Sequence, residues 1–246
     1  MRIYTTLAMG EYHVNHCEDH LLIEEMFGNR LLCAVMDGCT MGEDSHFASA
    51  LAGKLIRKIV KERSFQAFHD SLPAPSPLNN ELKEILRQFF SELKSIKNQL
   101  FLETKELLTT LLLLLIDEKT DSGIVLVIGD GLVSLNGKVT VFDQDNKPDY
   151  IGYHLSEDFE VWFEKQSQKI IIESIEDISI STDGIETFET VRNIANKENI
   201  DPIHYLLNDK MGNDRSEMLN MKMKTMEREF GLKPTDDLAI IRIIKE

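Results

Sequence analysis

Four stretches of this sequence join an apolar run to an acid and a tight turn. They are Cys33–Met36 before Asp37-Gly38, Ile124–Ile128 before Gly129-Asp130-Gly131, Ile178–Thr182 before Asp183-Gly184, and Asp236-Asp237 before Leu238–Ile244. A fifth acidic pair, Glu18-Asp19, precedes Leu21–Ile23. An unbroken apolar run of this length reads as a buried strand, and Asp-Gly as the turn that stops it. A carboxylate at the end of a buried strand is unfavourable unless donors or a cation satisfy it. Oxygen ligands delivered by several strand ends suit hard divalent cations such as Mg²⁺ or Mn²⁺, and a glycine beside the acid lets a backbone carbonyl approach an ion. A single Asp-Gly is more often a turn than a ligand, so it is the joint pattern that points to metal chemistry. Zinc chemistry has no such support, because Cys17, Cys33 and Cys39 show no C-x-x-C spacing.

The elements that must place these acids follow from periodicity. Ile3–Ala8, His20–Glu24 and Leu31–Met36 read as strands joined by connections short enough for antiparallel pairing. Asp44–Arg63 and Glu81–Leu102 read as helices, the second capped by Asn80, with the proline-rich Ser71–Asn80 as the loop between them. Leu107–Asp117, Gly123–Gly129 and Leu132–Phe142 return to strand pattern, with Asn136-Gly137 as a hairpin turn and Asp143–Tyr150 as a polar turn. Tyr153–Phe163, Lys169–Ser174 and Asp177–Thr182 are expected as strands. Glu186–Lys197, Pro202–Asn208 and Arg215–Phe230 are expected as helices before a last strand, Leu238–Ile244. This succession is an α+β pattern with mostly antiparallel pairing.

The bulk numbers narrow the partners. The 246 residues fit one packed domain, 1–246, with an ordinary 42% apolar and 28% charged content. A formal net charge of -15 argues against a nucleic-acid backbone or an anionic membrane as partner. No apolar run reaches the roughly 18–20 residues of a membrane span, the N-terminus lacks a signal-peptide apolar region, and cytoplasmic location is the expectation.

Taken in order, Asn15-His16-Cys17-Glu18-Asp19, Val35-Met36-Asp37-Gly38, Thr109-Thr110, Ile128-Gly129-Asp130-Gly131, Ser181-Thr182-Asp183-Gly184-Ile185 and Asp236-Asp237-Leu238-Ala239-Ile240 resemble the motif series of PP2C-type (PPM) serine/threonine phosphatases. The resemblance covers nearly the whole chain. It implies a four-layer αββα sandwich, two antiparallel sheets with helices on each outer face. It also implies two Mn²⁺ or Mg²⁺ ions, with a third at a weaker site. In that pattern Asp37 bridges the metals and Gly38 offers its carbonyl to one of them. Asp183, Asp236 and Glu18 serve the second metal, Asp130 the third, and Asp19 stands near the metal waters, so that Asp37 and Asp19 are the catalytic acids. The implied reaction is hydrolysis of a phosphoester by a water bridging the two cations. A phosphorylated protein is then the substrate and a cognate Ser/Thr kinase its source.

The departures are as specific as the matches. Val14 occupies the place where the family carries an arginine that holds the substrate phosphate, and Cys39 follows Asp-Gly where eukaryotic members carry histidine. Asp237 stands where asparagine is common, and the stretch from Asp130 to Asp183 is short, which implies a reduced flap. Loss of the guanidinium fork predicts weaker phosphate binding, with His13, His16 or Arg30 as candidate substitutes. The alternatives are a phosphatase-fold regulatory or binding protein of little or no turnover, and a phosphatase of small metabolites. Cys39 reads first as a turn filler, Trp162 as packing, and the methionines from Met218 to Met226 as a helix face on a sheet.

Overall fold

In a computed structural model of the chain, the residues described are 1–42, 44–69, 76–144, 148–192 and 200–245. Among these residues, twelve strands are distributed over two five-stranded antiparallel sheets and a small ribbon. In chain order they are β1 (Arg2–Ala8), β2 (His20–Met26), β3 (Arg30–Met36), β4 (Leu111–Asp117), β5 (Ser122–Ile128), β6 (Gly131–Leu135), β7 (Lys138–Phe142), β8 (Lys169–Ile172), β9 (Asp177–Ser181), β10 (Phe188–Thr190), β11 (Leu232–Pro234) and β12 (Leu238–Ile244). The first sheet has the order β1-β12-β9-β6-β7, the second β2-β3-β4-β5-β8, and β10 pairs with β11. The helices are α1 (Ser45–His69), α2 (Leu78–Leu100), α3 (Ile151–His154), α4 (Phe159–Lys165), α5 (Pro202–Leu207) and α6 (Met218–Thr225).

The layering explains why the strand sequences are apolar without alternation. Successive side chains of a strand point to opposite faces. On β3, Leu32, Ala34 and Met36 pack under α1 and α2, while Leu31, Cys33 and Val35 face the other sheet. β4 divides likewise, with Leu111, Leu113 and Leu115 toward the helices and Leu112, Leu114 and Ile116 toward the other sheet. On β12, Ala239, Ile241 and Ile243 enter the inter-sheet core, whereas Leu238, Ile240 and Ile244 join Leu206, Leu207, Leu219 and Met226 beneath α5 and α6. The result is the expected αββα sandwich, helices outside and two sheets within. Full burial of each such aliphatic side chain is worth about 1.5–3 kcal/mol, so the inter-sheet core is the main force holding the two sheets face to face.

Several elements differ from expectation, each for a physical reason. The first strand does not pair with the second: β1 aligns with β12, from Arg2↔Ile244 to Ala8↔Leu238, and only β2 and β3 form the local hairpin. Residues 151–165 form α3 and α4 and not a strand. Ile151, Leu155, Trp162 and Phe163 recur at helical spacing and pack with the α2 stripe, and Asp158 caps α4 by accepting the Val161 N–H at 3.0 Å. Phe188–Thr190, expected as helix, is a strand beside β11, and 193–197 of the same expected helix lie outside the described residues. The second long helix begins at Leu78 behind Pro77, so Asn80 is inside it and not its cap. The loop 71–75 and residues 145–147 of the polar turn are also outside the described set. The C-terminal helix is shorter than expected, starting at Met218 and ending through a π-turn at Gly231, whose φ is 65°. The Asn136-Gly137 turn is found as expected, with φ of 51° and 86°, the left-handed pair that tight hairpins require. Among the described residues no helix is long and apolar enough to cross a membrane.

Candidate active site

The acids reach one place from two different sheets. Glu18 and Asp19 lead into β2 and Asp37 leaves β3, while Asp183 follows β9 and Asp236 precedes β12. Asp37 is pinned by its backbone. Its N–H donates to Thr110 Oγ1 at 3.0 Å, and its carbonyl accepts from Thr109 Oγ1 and the Thr110 N–H, both at 2.8 Å. Gly38 then bridges to Thr109 and donates its N–H to the Glu18 carbonyl at 3.2 Å. A Cβ on Gly38 would stand 2.2 Å from the Ser45 carbonyl oxygen, so only glycine lets the chain pass under the start of α1 here. The Thr109 and Thr110 hydroxyls are thus both taken up in holding the Asp37 backbone.

On the other sheet, Thr182 ties β9 to β12. Its N–H donates to the Ala239 carbonyl at 3.1 Å, its hydroxyl oxygen accepts the Ala239 N–H at 2.9 Å, and it donates to Asp19 Oδ2 at 2.7 Å. Gly184 permits the next close approach, since a Cβ there would lie 1.8 Å from the Asp237 carbonyl oxygen. Thr187 Oγ1 receives the Asp236 N–H at 3.1 Å.

The electrostatics are those of crowded anions. Burial is the largest cause pushing the Asp19 and Asp37 carboxyls up. The two are hydrogen-bonded to each other, and Asp183, with Asp237 acting on Asp19 and Asp236 on Asp37, raises them further. Such a pair shares a proton in preference to ionising twice. Asp183 is pushed up to about 6, by burial first and then by Asp236 and Asp130. Asp130 is buried at the β5–β6 turn, and its Oδ1 has no hydrogen-bond partner among the described residues. Burial, then Asp143 and Glu186, raise it. Clustered carboxylates that repel one another, together with an orphaned buried carboxylate oxygen, form a donor set that fits hard divalent cations.

Not every expected acid turns to this centre. The Glu18 carboxylate accepts from Thr40 Oγ1 at 2.9 Å and Ser45 Oγ at 2.5 Å, at the start of α1. With Asp37 bonded to Asp19 and Glu18 bonded to hydroxyls, no three His, Cys, Asp or Glu side chains among the described residues form a ready cation cage. Arg30 is also remote in role, buried and engaged by the Ser76 carbonyl with Glu81 and Asp117 3.7 Å away. Cys39 is buried with Leu108 and Tyr150.

One residue that sequence reasoning treated only as a departure carries much of the geometry. The buried Asp237 accepts the N–H groups of Gly10, at 2.7 Å, and Glu18, and lies 2.8 Å from His13 Nδ1. It thereby fastens the 10–18 segment to the start of β12. Burial alone would lower the His13 imidazole, but Asp237, Asp236 and Glu18 outweigh it and hold the ring protonated to higher pH than usual. Its acidic type beside another acid was the only signal, because the partners lie more than 200 positions away.

A family model described as Protein phosphatase 2C matches residues 10–225. Among solved structures, a bacterial serine phosphatase is 14% identical with a TM-score of 0.66, over 100% of this chain and 99% of the other. The serine/threonine phosphatase Stp1 from Staphylococcus aureus is 13% identical with a TM-score of 0.62, over 100% and 96% of the two chains. RsbX in complex with magnesium is 16% identical with a TM-score of 0.53, over 98% and 94%. At these identities the structures show a shared fold. No curated protein sequence matches the chain.

Proposed function

The chain belongs to the protein phosphatase 2C family, a family of phosphoprotein phosphatases, and on that premise we propose that it is a metal-dependent serine/threonine phosphatase whose single domain spans 1–246. The observation that supports this reading is the convergence of Asp19, Asp37, Asp183 and Asp236 from two sheets into mutual repulsion. Asp37, the Gly38 carbonyl, Asp183, Asp236 and Glu18 would hold two Mn²⁺ or Mg²⁺ ions, and Asp130 a third. Bound, the cations supply charge neutralisation of the phosphoryl oxygens and acidification of water. For Glu18 this requires its carboxylate to leave Thr40 and Ser45, a side-chain rotation at the surface end of the site. Asp19, bonded to Asp37 and held by Thr182, would take up the proton released from a water acidified at the site. The substrate class is a phosphoserine or phosphothreonine protein, the product of a Ser/Thr kinase.

The test is a phosphatase assay on p-nitrophenyl phosphate and a phosphoserine peptide, with Mn²⁺ or excess EDTA, for the native chain and Asp183→Asn. Mn²⁺-dependent turnover that falls by about 10²-fold or more in the variant is expected, since a residue made part of the charge-stabilising set acts mainly in the transition state. Turnover that ignores EDTA overturns the metal reading, and equal activity in Asp183→Asn overturns the assignment of residues.

A further inference from the structure

Beside the acids lies an open groove of about 400 Å³. The 10–18 segment provides one wall with His13, Val14 and His16, and the start of α1 provides the other with Ser45 and His46. Three of the chain's seven histidines line it, and among the described residues no lysine or arginine does. The three rings are not equivalent. His13 is engaged by Asp237 and Asp236. His16 and His46 instead stack on each other, centroids 4.2 Å apart and planes at 26°, and among the described residues neither imidazole has a hydrogen-bond or ion-pair partner.

An imidazole retains at least one N–H donor in either charge state. Two rings already held against each other lose less freedom on binding than two mobile side chains would. The pair thus offers preorganised donors to an anion, in a wall where nothing else is cationic apart from His13. Val14, in the same wall, is 87% exposed and its side chain offers no donor. Two carboxylates also line the groove, Asp44 and Glu18, the second accepting from Thr40 and Ser45. His13, in the same wall, lies 3.4 Å from Asp236 Oδ1 and 2.8 Å from Asp237 Oδ2, so the groove adjoins these two acids.

Resting on the phosphatase reading above, we propose that the stacked His16–His46 pair is the phosphate-binding element of the substrate site. Its N–H groups hold nonbridging oxygens of a phosphoserine or phosphothreonine side chain, and the remaining groove accommodates the flanking peptide.

The experiment compares His16→Ala, His46→Ala and His46→Gln with the native chain, full length and with Mn²⁺. Substrates are a phosphoserine peptide and p-nitrophenyl phosphate, with inorganic phosphate as inhibitor. Loss of a hydrogen bond to a charged group corresponds to about tenfold. Each alanine variant should therefore raise KM for both substrates, and weaken phosphate inhibition, by about that factor, with kcat within about twofold. His46→Gln keeps an N–H donor and should recover part of the loss. Alanine is the better helix former near the start of α1, so the fold should persist, as circular dichroism would check. Unchanged KM and phosphate inhibition in both alanine variants overturns the proposal. A KM change on the peptide alone also overturns it, since the pair would then read the peptide and not its phosphate. If the native chain shows no turnover, the phosphatase reading fails by itself. Imidazole NMR signals followed during addition of inorganic phosphate at fixed pH then decide: shifts at His16 and His46 support the site, and none at either overturns it.

Discussion

Replacing Asp183 by asparagine should stabilise the cation-free protein while removing its response to metal. The Asp183 carboxyl is pushed from 3.8 to about 6, by burial and then by Asp236 and Asp130. An acid whose folded value lies above its unfolded value binds more protons in the folded state between the two, so stability falls as pH rises through that window. The penalty is absent well below 3.8, grows from there, and is complete above about 6. At 1.36 kcal/mol per unit, a shift of this size amounts to roughly 3 kcal/mol at pH 7.5 and about half that at pH 5. Asparagine keeps the shape and an acceptor oxygen but removes the charge. Urea unfolding in excess EDTA should therefore show Asp183→Asn more stable than the native chain by about 3 kcal/mol at pH 7.5 and about 1.5 kcal/mol at pH 5, the two converging toward pH 3. Added Mn²⁺ should stabilise the native chain, by an amount that follows the logarithm of its concentration over Kd, and the variant much less. A variant no more stable than the native chain at pH 7.5, or a difference independent of pH, would refute the claim that crowded anions strain this site.

Two further substitutions probe the framework. Asp237→Ala strands two backbone N–H groups, of Gly10 and Glu18, and releases His13; at about 1–3 kcal/mol per unmet buried group it should lose about 3 kcal/mol in urea unfolding, with faster hydrogen exchange at both amides. Arg242 is fully buried, paired with Asp177 at 3.0 and 2.7 Å and bonded to the carbonyls of Leu206, Asn208 and Asp209. Arg242→Met leaves Asp177 with only the half-exposed Lys210, 3.8 Å away, and should lose about 3–5 kcal/mol, whereas Arg242→Met with Asp177→Leu should recover most of it. If the double variant is no better than the single one, the carbonyl contacts and not the ion pair dominate.

What the sequence disclosed and what it hid divide along the range of the interactions. The runs Leu31–Met36 and Leu111–Ile116 announce buried strands because both of their faces are covered, and Asn136-Gly137 announces its hairpin because the turn geometry is local. The acids at strand ends were visible for the same reason. The pairing of β1 with β12 was not, since closing a sheet between the two ends of the chain leaves no local mark. Residues 151–165 misled because short helices with aromatic and β-branched residues carry strand-like composition, and their packing on α2 decided the outcome. The structural roles of Asp237, Thr182 and His46 were hidden because each acts through a partner far along the chain.

The placement of the acids on two sheets has a consequence for how the site and the fold depend on each other. Asp19 and Asp37 are carried by the β2–β3 sheet, Asp183 and Asp236 by the β9–β12 sheet, and their repulsion acts between the sheets. What opposes it is the inter-sheet core of Leu112, Leu114, Val125, Val127, Ile178, Ile180 and Ile241, helped by the Asp19–Thr182 hydrogen bond that crosses the gap. A large-to-small substitution in that core should weaken the clasp on the acids as well as the fold, because those side chains are what keep the two halves of the site in register. A divalent cation shared by acids of both sheets would reverse the sign of the interaction and make the site an inter-sheet cross-link. Truncating Ile241 should therefore lower the metal-free stability by about 2–5 kcal/mol and lower Mn²⁺ affinity with it, although the residue belongs to the apolar inter-sheet core. Calorimetric Mn²⁺ binding unchanged in Ile241→Ala, beside a fully retained loss of stability, would show that the sheets hold the acids independently of their common core.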